Sequence, residues 1–315
     1  MRVIDYLEKS NSTLFSYEII PPMRGGNIQS VFELIENLMP YEPPYIDLTS
    51  RSAEISYDEY EGGIIKKTIK RKRPGTIGLS AAIKNRFNVE TVPHVLCYGF
   101  TREETEDALI ELNYLGINNV FAVRGDDLKK PMSAFEGKTR NLYASDLVKQ
   151  ISDMNKGKYL EELVDANPTD FCIGSGAYPE KHFESPNQAT DIRHLKTKVD
   201  AGTDYIVTQM HFDNKKFFDF HNRCRDAGIE VPIIPGIKII NRKSHLVSIP
   251  KNFYVDIPDE LSDVIQEAPN EEVPKIGINW AIDQCQELID FGVPCIHFYI
   301  MSSASGAAEV VSQFR

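Results

Sequence analysis

Residues 91–123 read TVPHVLCYGFTREETEDALIELNYLGINNVFAV, and their pattern decides the fold. An apolar, β-branched run, Thr91–Cys97, gives way to a segment with helical spacing of its apolar residues, Thr101–Tyr114. A second apolar run, Asn118–Val123, follows. Thr101-Arg-Glu-Glu104 has the form of a capping box, and Gly116 stands where a helix stops. Both runs are nearly continuous in apolar residues rather than alternating, as strands covered on both faces of a parallel sheet must be.

The same unit recurs in both directions. Further strands are expected at Leu14–Ile20, Tyr45–Thr49, Phe171–Ala177, Asp204–Gln209, Val231–Pro235 and Cys295–Ile300. Helices are expected at Ile28–Met39, Ser145–Lys156, Asp191–Ala201, Lys215–Ala227 and Pro274–Gly292, with Gly202, Gly228 and Gly292 at stops. Eight strands alternating with helices predict an α/β fold, a (β/α)8 TIM barrel rather than an open doubly wound sheet. The expectation is a single catalytic barrel over residues 1–315 with a longer insert at about 51–88. That insert carries Lys66-Lys-Thr-Ile-Lys-Arg-Lys-Arg73, read as a solvated helix face. A second long connection, Ile237–Asp283, is rich in proline.

Composition narrows the function. With 35 Lys and Arg against 46 Asp and Glu, the 315-residue chain carries a net charge of −11, the wrong sign for a general nucleic-acid binder. At 42% hydrophobic residues a chain of this length can bury a core without disulfides. Its five scattered cysteines, none in a C-x-x-C arrangement, argue against a disulfide framework or a structural zinc and for a reducing compartment. No run of 18 apolar residues occurs and the N-terminus lacks a signal-peptide pattern, so no membrane association and a cytoplasmic location are expected.

In such a barrel the active site lies at the C-terminal ends of the strands, and here those ends are polar. They carry Glu18, Thr49, His94, Arg124-Gly-Asp126, Tyr178-Pro-Glu-Lys-His182, Thr208-Gln209, and His297 with Tyr299. A carboxyl set in FSYEIIPP is flanked by apolar groups that disfavour its ionised form, which makes Glu18 a candidate general acid. Pairing with Arg124 or Lys198 is the plainer alternative. Metal chemistry is disfavoured because strand one has no histidine and His182, His194 and His211 show no ligand pattern. There is neither a G-x-S-x-G elbow nor a G-x-G-x-x-G turn opening a helix.

At these strand ends the runs FSYEIIPP, IDLTS, VPHVLC, VFAVRGD, YASDLV, GAYPEKH, LKTKVDAGTDYIVTQMHFD, IIPGI and HFYIM occur in order over about residues 14–304. Together they resemble the methylenetetrahydrofolate reductase family in its short bacterial form. The resemblance implies bound FAD, NADH or NADPH as co-substrate, a folate substrate and a homo-oligomer. It implies Glu18 as general acid, Asp126 as the carboxylate between flavin and folate, and Gln209 and Tyr299 as substrate contacts. The implied FAD contacts are Thr49, His94, Arg124, Asp126, Tyr143, Ala144, Ala177, Tyr178, His182, Asp191 and Lys198. Lys243 falls where the family's bacterial members place an aromatic residue, Ser302-Ser303 replaces an Asn-Arg pair, and Thr197 and His194 replace diphosphate-side groups. Lys243 therefore raises the alternative of an electron-donor protein in place of the nicotinamide. A metal-dependent barrel hydrolase and a non-catalytic folate or flavin carrier are the rivals from other classes.

Overall fold

The computed structural model describes residues 1–51, 54–70, 73, 75–125, 139–301 and 303–315. Helix α1 (Val3–Lys9) precedes strand β1 (Leu14–Ile19), helix α2 (Gln29–Glu36) and strand β2 (Tyr45–Leu48). The insert forms β3 (Glu54–Tyr60) and β4 (Ile64–Lys70), then α3 (Ile77–Phe87). Next come β5 (Glu90–Leu96), α4 (Arg102–Tyr114), β6 (Asn119–Val123), α5 (Ala144–Met154), β7 (Cys172–Ala177), α6 (Gln188–Gly202), β8 (Tyr205–Met210) and α7 (Asn214–Asp226). The chain closes with β9 (Ile233–Ile237), α8 (His245–Phe253), α9 (Asp259–Glu267), α10 (Val273–Phe291), β10 (Cys295–Met301) and α11 (Ser305–Val311).

Eight of these strands close into a parallel barrel in the order β1, β10, β9, β8, β7, β6, β5, β2. All eight expected strands are present within two residues of their expected limits. The basic run is a correction: its first part lies on β4 of an antiparallel hairpin with β3, not on a helix. The helices α1, α3, α8, α9 and α11 were not anticipated. Where capping was legible it holds, since the Thr101 hydroxyl accepts from Glu104 N (3.0 Å) and the Glu104 carboxylate accepts from Thr101 N (2.8 Å). Helix α10 ends on Gly292 at φ +88°, a left-handed position that a side chain would strain.

Alternation along each strand sorts the side chains into two layers. Phe15, Tyr17 and Ile19 of β1 point outward and pack with Ile35, Phe217 and Leu288 of the helical shell. Inward-facing Tyr45, Val92, Phe121, Cys172, Tyr205 and Cys295 fill the barrel floor, and Val3 and Leu7 of α1 pack against that floor. Val3 N donates to Asn119 Oδ1 (2.8 Å) and Asn119 Nδ2 donates to Met1 O (3.0 Å), which fixes α1 under the N-terminal strand ends. A Cβ on Gly174 would lie 2.5 Å from both the Phe121 and Tyr205 rings, so a glycine there lets the two aromatics fill the centre. The floor is thereby apolar and closed, and polar side chains collect at the opposite end. Among the described residues no helix is long and apolar enough to cross a membrane, and all five cysteines are free and buried.

Candidate active site

Parallel register sets which inward positions meet above the floor. Glu18 pairs with Asp47 on one side and with Tyr299 on the other, and Ser16 pairs with His297. Two residues along a strand is one step up the same face, so Ser16 and Glu18, Tyr45 and Asp47, and His297 and Tyr299 form successive layers. The layer above the floor is a chain of polar contacts. Ser16 Oγ lies 2.8 Å from His297 Nδ1, which lies 3.8 Å from Asp47 Oδ2. His94 Nε2 stands 3.7 Å from Asp47 Oδ1 and 3.6 Å from Glu18 Oε2.

Burial governs the charges in this layer. Desolvation pushes Glu18 up to about 7, opposed by His94, Lys238 and Arg51 and reinforced by Asp47. Asp47 is raised well above the usual carboxylate range by burial, and its Oδ2 has no hydrogen-bond partner. Burial lowers His94, and it takes His297 down to about 3. Lys238 is lowered to about 8 by desolvation, with Glu18 pulling the other way. The set therefore holds imidazoles and an Asp47 carboxyl whose charged forms burial disfavours, and one carboxyl, Glu18, poised to exchange a proton near neutrality.

The other wall is ordered by a register shift between β8 and β9, after Val207. Gly236 N donates to Thr208 Oγ1 (3.0 Å), and Thr208 O accepts from the Tyr299 hydroxyl (2.7 Å). A Cβ on Gly236 would come within 2.3 Å of Thr208 O and 2.6 Å of the Tyr299 ring, so the glycine is required for Tyr299 to lie across the mouth. Gln209 lies beyond that register shift, half-buried at the upper end of β8, and its Oε1 accepts from Met210 N (3.0 Å).

Around the rim, Arg124 at the end of β6 pairs with Glu184 (2.6 Å), with its guanidinium 5.8 Å from the Tyr98 ring. The segment after β7 is held by Asp191, which accepts from His182 N (2.9 Å) and Ser185 Oγ (2.8 Å). Lys198, lowered to about 8 by burial, donates to Gly176 O. Aromatic rings climb outward from Tyr178 to His182 (4.7 Å), Phe183 (4.6 Å) and Tyr254 (4.6 Å), the last two stacked and exposed. Tyr143 caps α5 and is exposed, Ala144 opens that helix, and the Ala177 side chain is buried in the outer core.

Glu18, His94 and Tyr299 thus share the mouth, with Thr49, Arg124, Tyr178, His182, Asp191 and Gln209 at the ends of the surrounding strands and helices and Lys198 reaching Gly176 O from within α6. Asp126 and Ser302 lie outside the described residues. His94, expected as a cofactor contact, directs its Nε2 toward the two carboxyls. Lys243 donates to Gln266 O (2.7 Å) in the last turn of α9, and His194 and Thr197 are exposed on α6. Sequence reading missed Asp47 and Lys238. Counting back by two from Thr49, or forward by two from Gly236, finds both.

The residues present fit the FAD that the sequence resemblance implies. Thr49 Oγ1 is buried without a hydrogen-bond partner, and nothing lies within 4 Å of the Cβ position at Gly176. Arg124, paired here with Glu184, and Lys198, on Gly176 O, are the cations that would meet a diphosphate. Among the described residues no group of three His, Cys, Asp or Glu side chains is arranged to hold a metal ion.

Comparison with known proteins agrees with this geometry. The family model described as Methylenetetrahydrofolate reductase matches residues 2–315. Methylenetetrahydrofolate reductase 1 of Schizosaccharomyces pombe is 30% identical over 312 residues, which cover 98% of this chain and 46% of that protein. The 5,10-methylenetetrahydrofolate reductase of Salmonella typhimurium is 29% identical over 291 residues, covering 92% of this chain and 86% of its own. The chain spans about half the length of the first curated relatives it matches. Among solved structures, a Clostridium thermocellum protein that binds two copies of 5-methyl-5,6,7,8-tetrahydrofolic acid superposes with a TM-score of 0.61 at 13% identity, covering 99% of this chain and 98% of that one. That likeness is one of fold.

Proposed function

The chain belongs to the methylenetetrahydrofolate reductase family, and from that premise we propose that it reduces 5,10-methylenetetrahydrofolate to 5-methyltetrahydrofolate with a nicotinamide nucleotide as donor. The observation that carries the reading is Glu18, a carboxyl on the barrel's inner face that burial pushes up to about 7. The reaction adds one hydride and one proton to the folate. FAD, when bound, supplies the hydride, having received it from NADH or NADPH. Glu18 supplies the proton to a nitrogen of the imidazolidine ring, opening it to the electrophilic iminium that accepts the hydride. Gln209 and Tyr299 orient the pterin, with Tyr299 held by Thr208 O. Asp126 provides negative charge between the rings.

On the same reading Thr49, Arg124, Tyr143, Ala144, Tyr178, His182 and Lys198 hold the cofactor, with the Ala177 backbone at the strand end. Asp191 acts through the His182 amide and the Ser185 hydroxyl that it binds. His94 acts at the carboxyl layer. These 315 residues work as one barrel, in a homo-oligomer, in the reducing cytoplasm where free cysteines persist.

Purified protein tests this directly. A flavin absorption band is expected, bleached by NADH or NADPH without oxygen and restored by 5,10-methylenetetrahydrofolate. A colourless protein that takes up no FAD would overturn the reading. Bleaching by a reduced protein carrier but by neither nucleotide would replace the donor.

A further inference from the structure

Lys238 has no role in the scheme above, yet it is a half-buried cation on the barrel's inner wall. It stands two residues after Gly236 at the upper end of β9, and its ammonium donates to Tyr299 O (2.7 Å). Tyr299 is the register partner of Glu18, and the register between β1 and β10 shifts immediately beyond, with Ile19 opposite Met301. That bulge, with Met301 at φ +61°, interrupts the ladder beside Glu18 and leaves the Tyr299 carbonyl for the lysine. The ammonium is thus anchored one strand away from the Glu18 carboxyl, with an attraction felt by both groups.

Proton donation leaves a carboxylate in a site shielded from water, and an uncompensated charge there is costly. His94 and Asp47 offer no fixed positive charge, the first because burial keeps it neutral and the second because it is itself an acid. Arg51 faces Glu18 from the end of β2 but is exposed, so solvent screens it. On its other side Lys238 faces Arg242 and His245, and neither is an anion. Among the described residues Tyr299 completes the set of titratable groups facing Glu18, and burial raises it well above its usual range.

We infer that Lys238 is a positioning residue that sets the acid strength of Glu18, its ammonium balancing the carboxylate left behind when the proton moves to the substrate. The inference rests on the proposed reductase reading only for where that proton goes. The coupling belongs to the protein alone.

The test is an infrared pH titration of the Glu18 carboxylic-acid carbonyl stretch, identified by its loss in Glu18→Gln and followed without substrate. In Lys238→Met the carboxyl should become a roughly tenfold weaker acid, titrating about one pH unit higher. Lys238→Gln keeps a donor for Tyr299 O without the charge and should show the same shift, whereas Lys238→Arg should restore the wild-type value. The folate half-reaction should slow in the Met and Gln variants, and its alkaline limb should move up in step. An unmoved Glu18 titration in Lys238→Gln would show that the lysine only anchors Tyr299. A shifted titration in a protein that never reduces a folate would keep the coupling and discard the reductase reading.

Discussion

Burial holds Glu18 at about 7 in the folded protein, whereas an unfolded chain ionises it near its ordinary value of 4.5. Because the folded value is the higher one, this carboxyl opposes folding. The penalty grows as pH rises from about 4.5 to about 7 and is constant above that. Glu18→Gln removes it. The variant should be more stable than wild type at pH 8 by roughly 1–3 kcal/mol and indistinguishable near pH 4, as read from urea unfolding at both pH values. The same substitution separates chemistry from structure. Reduction by the nicotinamide donor needs no acid at this position, while the folate step should fall by roughly 10²-fold or more. Equal losses in both half-reactions, or a variant less stable at pH 8, would make Glu18 a structural residue. Much of this residue's behaviour was legible in FSYEIIPP, because apolar neighbours on a strand announce desolvation. Asp47 was hidden in IDLTS because a buried aspartate reads like a turn residue until the register puts it beside Glu18.

Elements were legible where one physical rule fixed them. The barrel strands are apolar on both faces and so stand out from any flank, and the Thr101 capping box located the start of α4. The hairpin of β3 and β4 did not stand out, because its charges interrupt the alternation and a run of lysines looks like a solvated helix. Helix α1 escaped notice because seven residues are too few to show a period, and its stability comes from packing on the barrel floor. That floor makes Gly174 a sensitive point. Gly174→Ala pushes a methyl into the Phe121 and Tyr205 rings and should cost about 1–3 kcal/mol in urea unfolding, with the barrel otherwise intact. An unchanged midpoint would mean that the floor is loosely packed. Lys243 shows the opposite limit. Its charge invites a ligand, yet its ammonium serves the last turn of α9, where it favours the helix dipole. Lys243→Ala should cost roughly 0.5 kcal/mol of stability and leave the salt dependence of the nicotinamide half-reaction unchanged. Loss of salt dependence in the variant would instead give the Lys243 charge a part in nucleotide binding.

For the molecule as a whole, the buried ionisable groups pull in two directions. Burial lowers His94, His182, His211, His221, His245 and His297 below the ordinary histidine value, with His211 and His245 at about 4 and His297 at about 3. A histidine depressed in the folded state binds its proton more readily once unfolded. Its contribution to stability is therefore complete above the unfolded value near 6.5 and is lost as pH falls below it. The buried carboxyls Glu18, Asp47, Glu180 and Asp204 are raised and act oppositely, favouring the folded state as pH falls toward their unfolded values. The deeply depressed histidines His211, His245 and His297 outnumber the strongly raised carboxyls Glu18 and Asp47, so unfolding should take up protons between about pH 4.5 and 6.5. Stability should therefore drop on acidification from pH 7 to pH 5, before the bulk of the surface carboxylates protonate. Urea midpoints across this range give the slope, and calorimetric unfolding in buffers of different ionisation enthalpy counts the protons. Glu18→Gln takes away one opposing carboxyl, so its stability should fall more steeply with acid than that of wild type. A slope that is flat or reversed in wild type, or shallower in the variant, would mean that the carboxyl layer and not the histidines governs the acid response of the barrel.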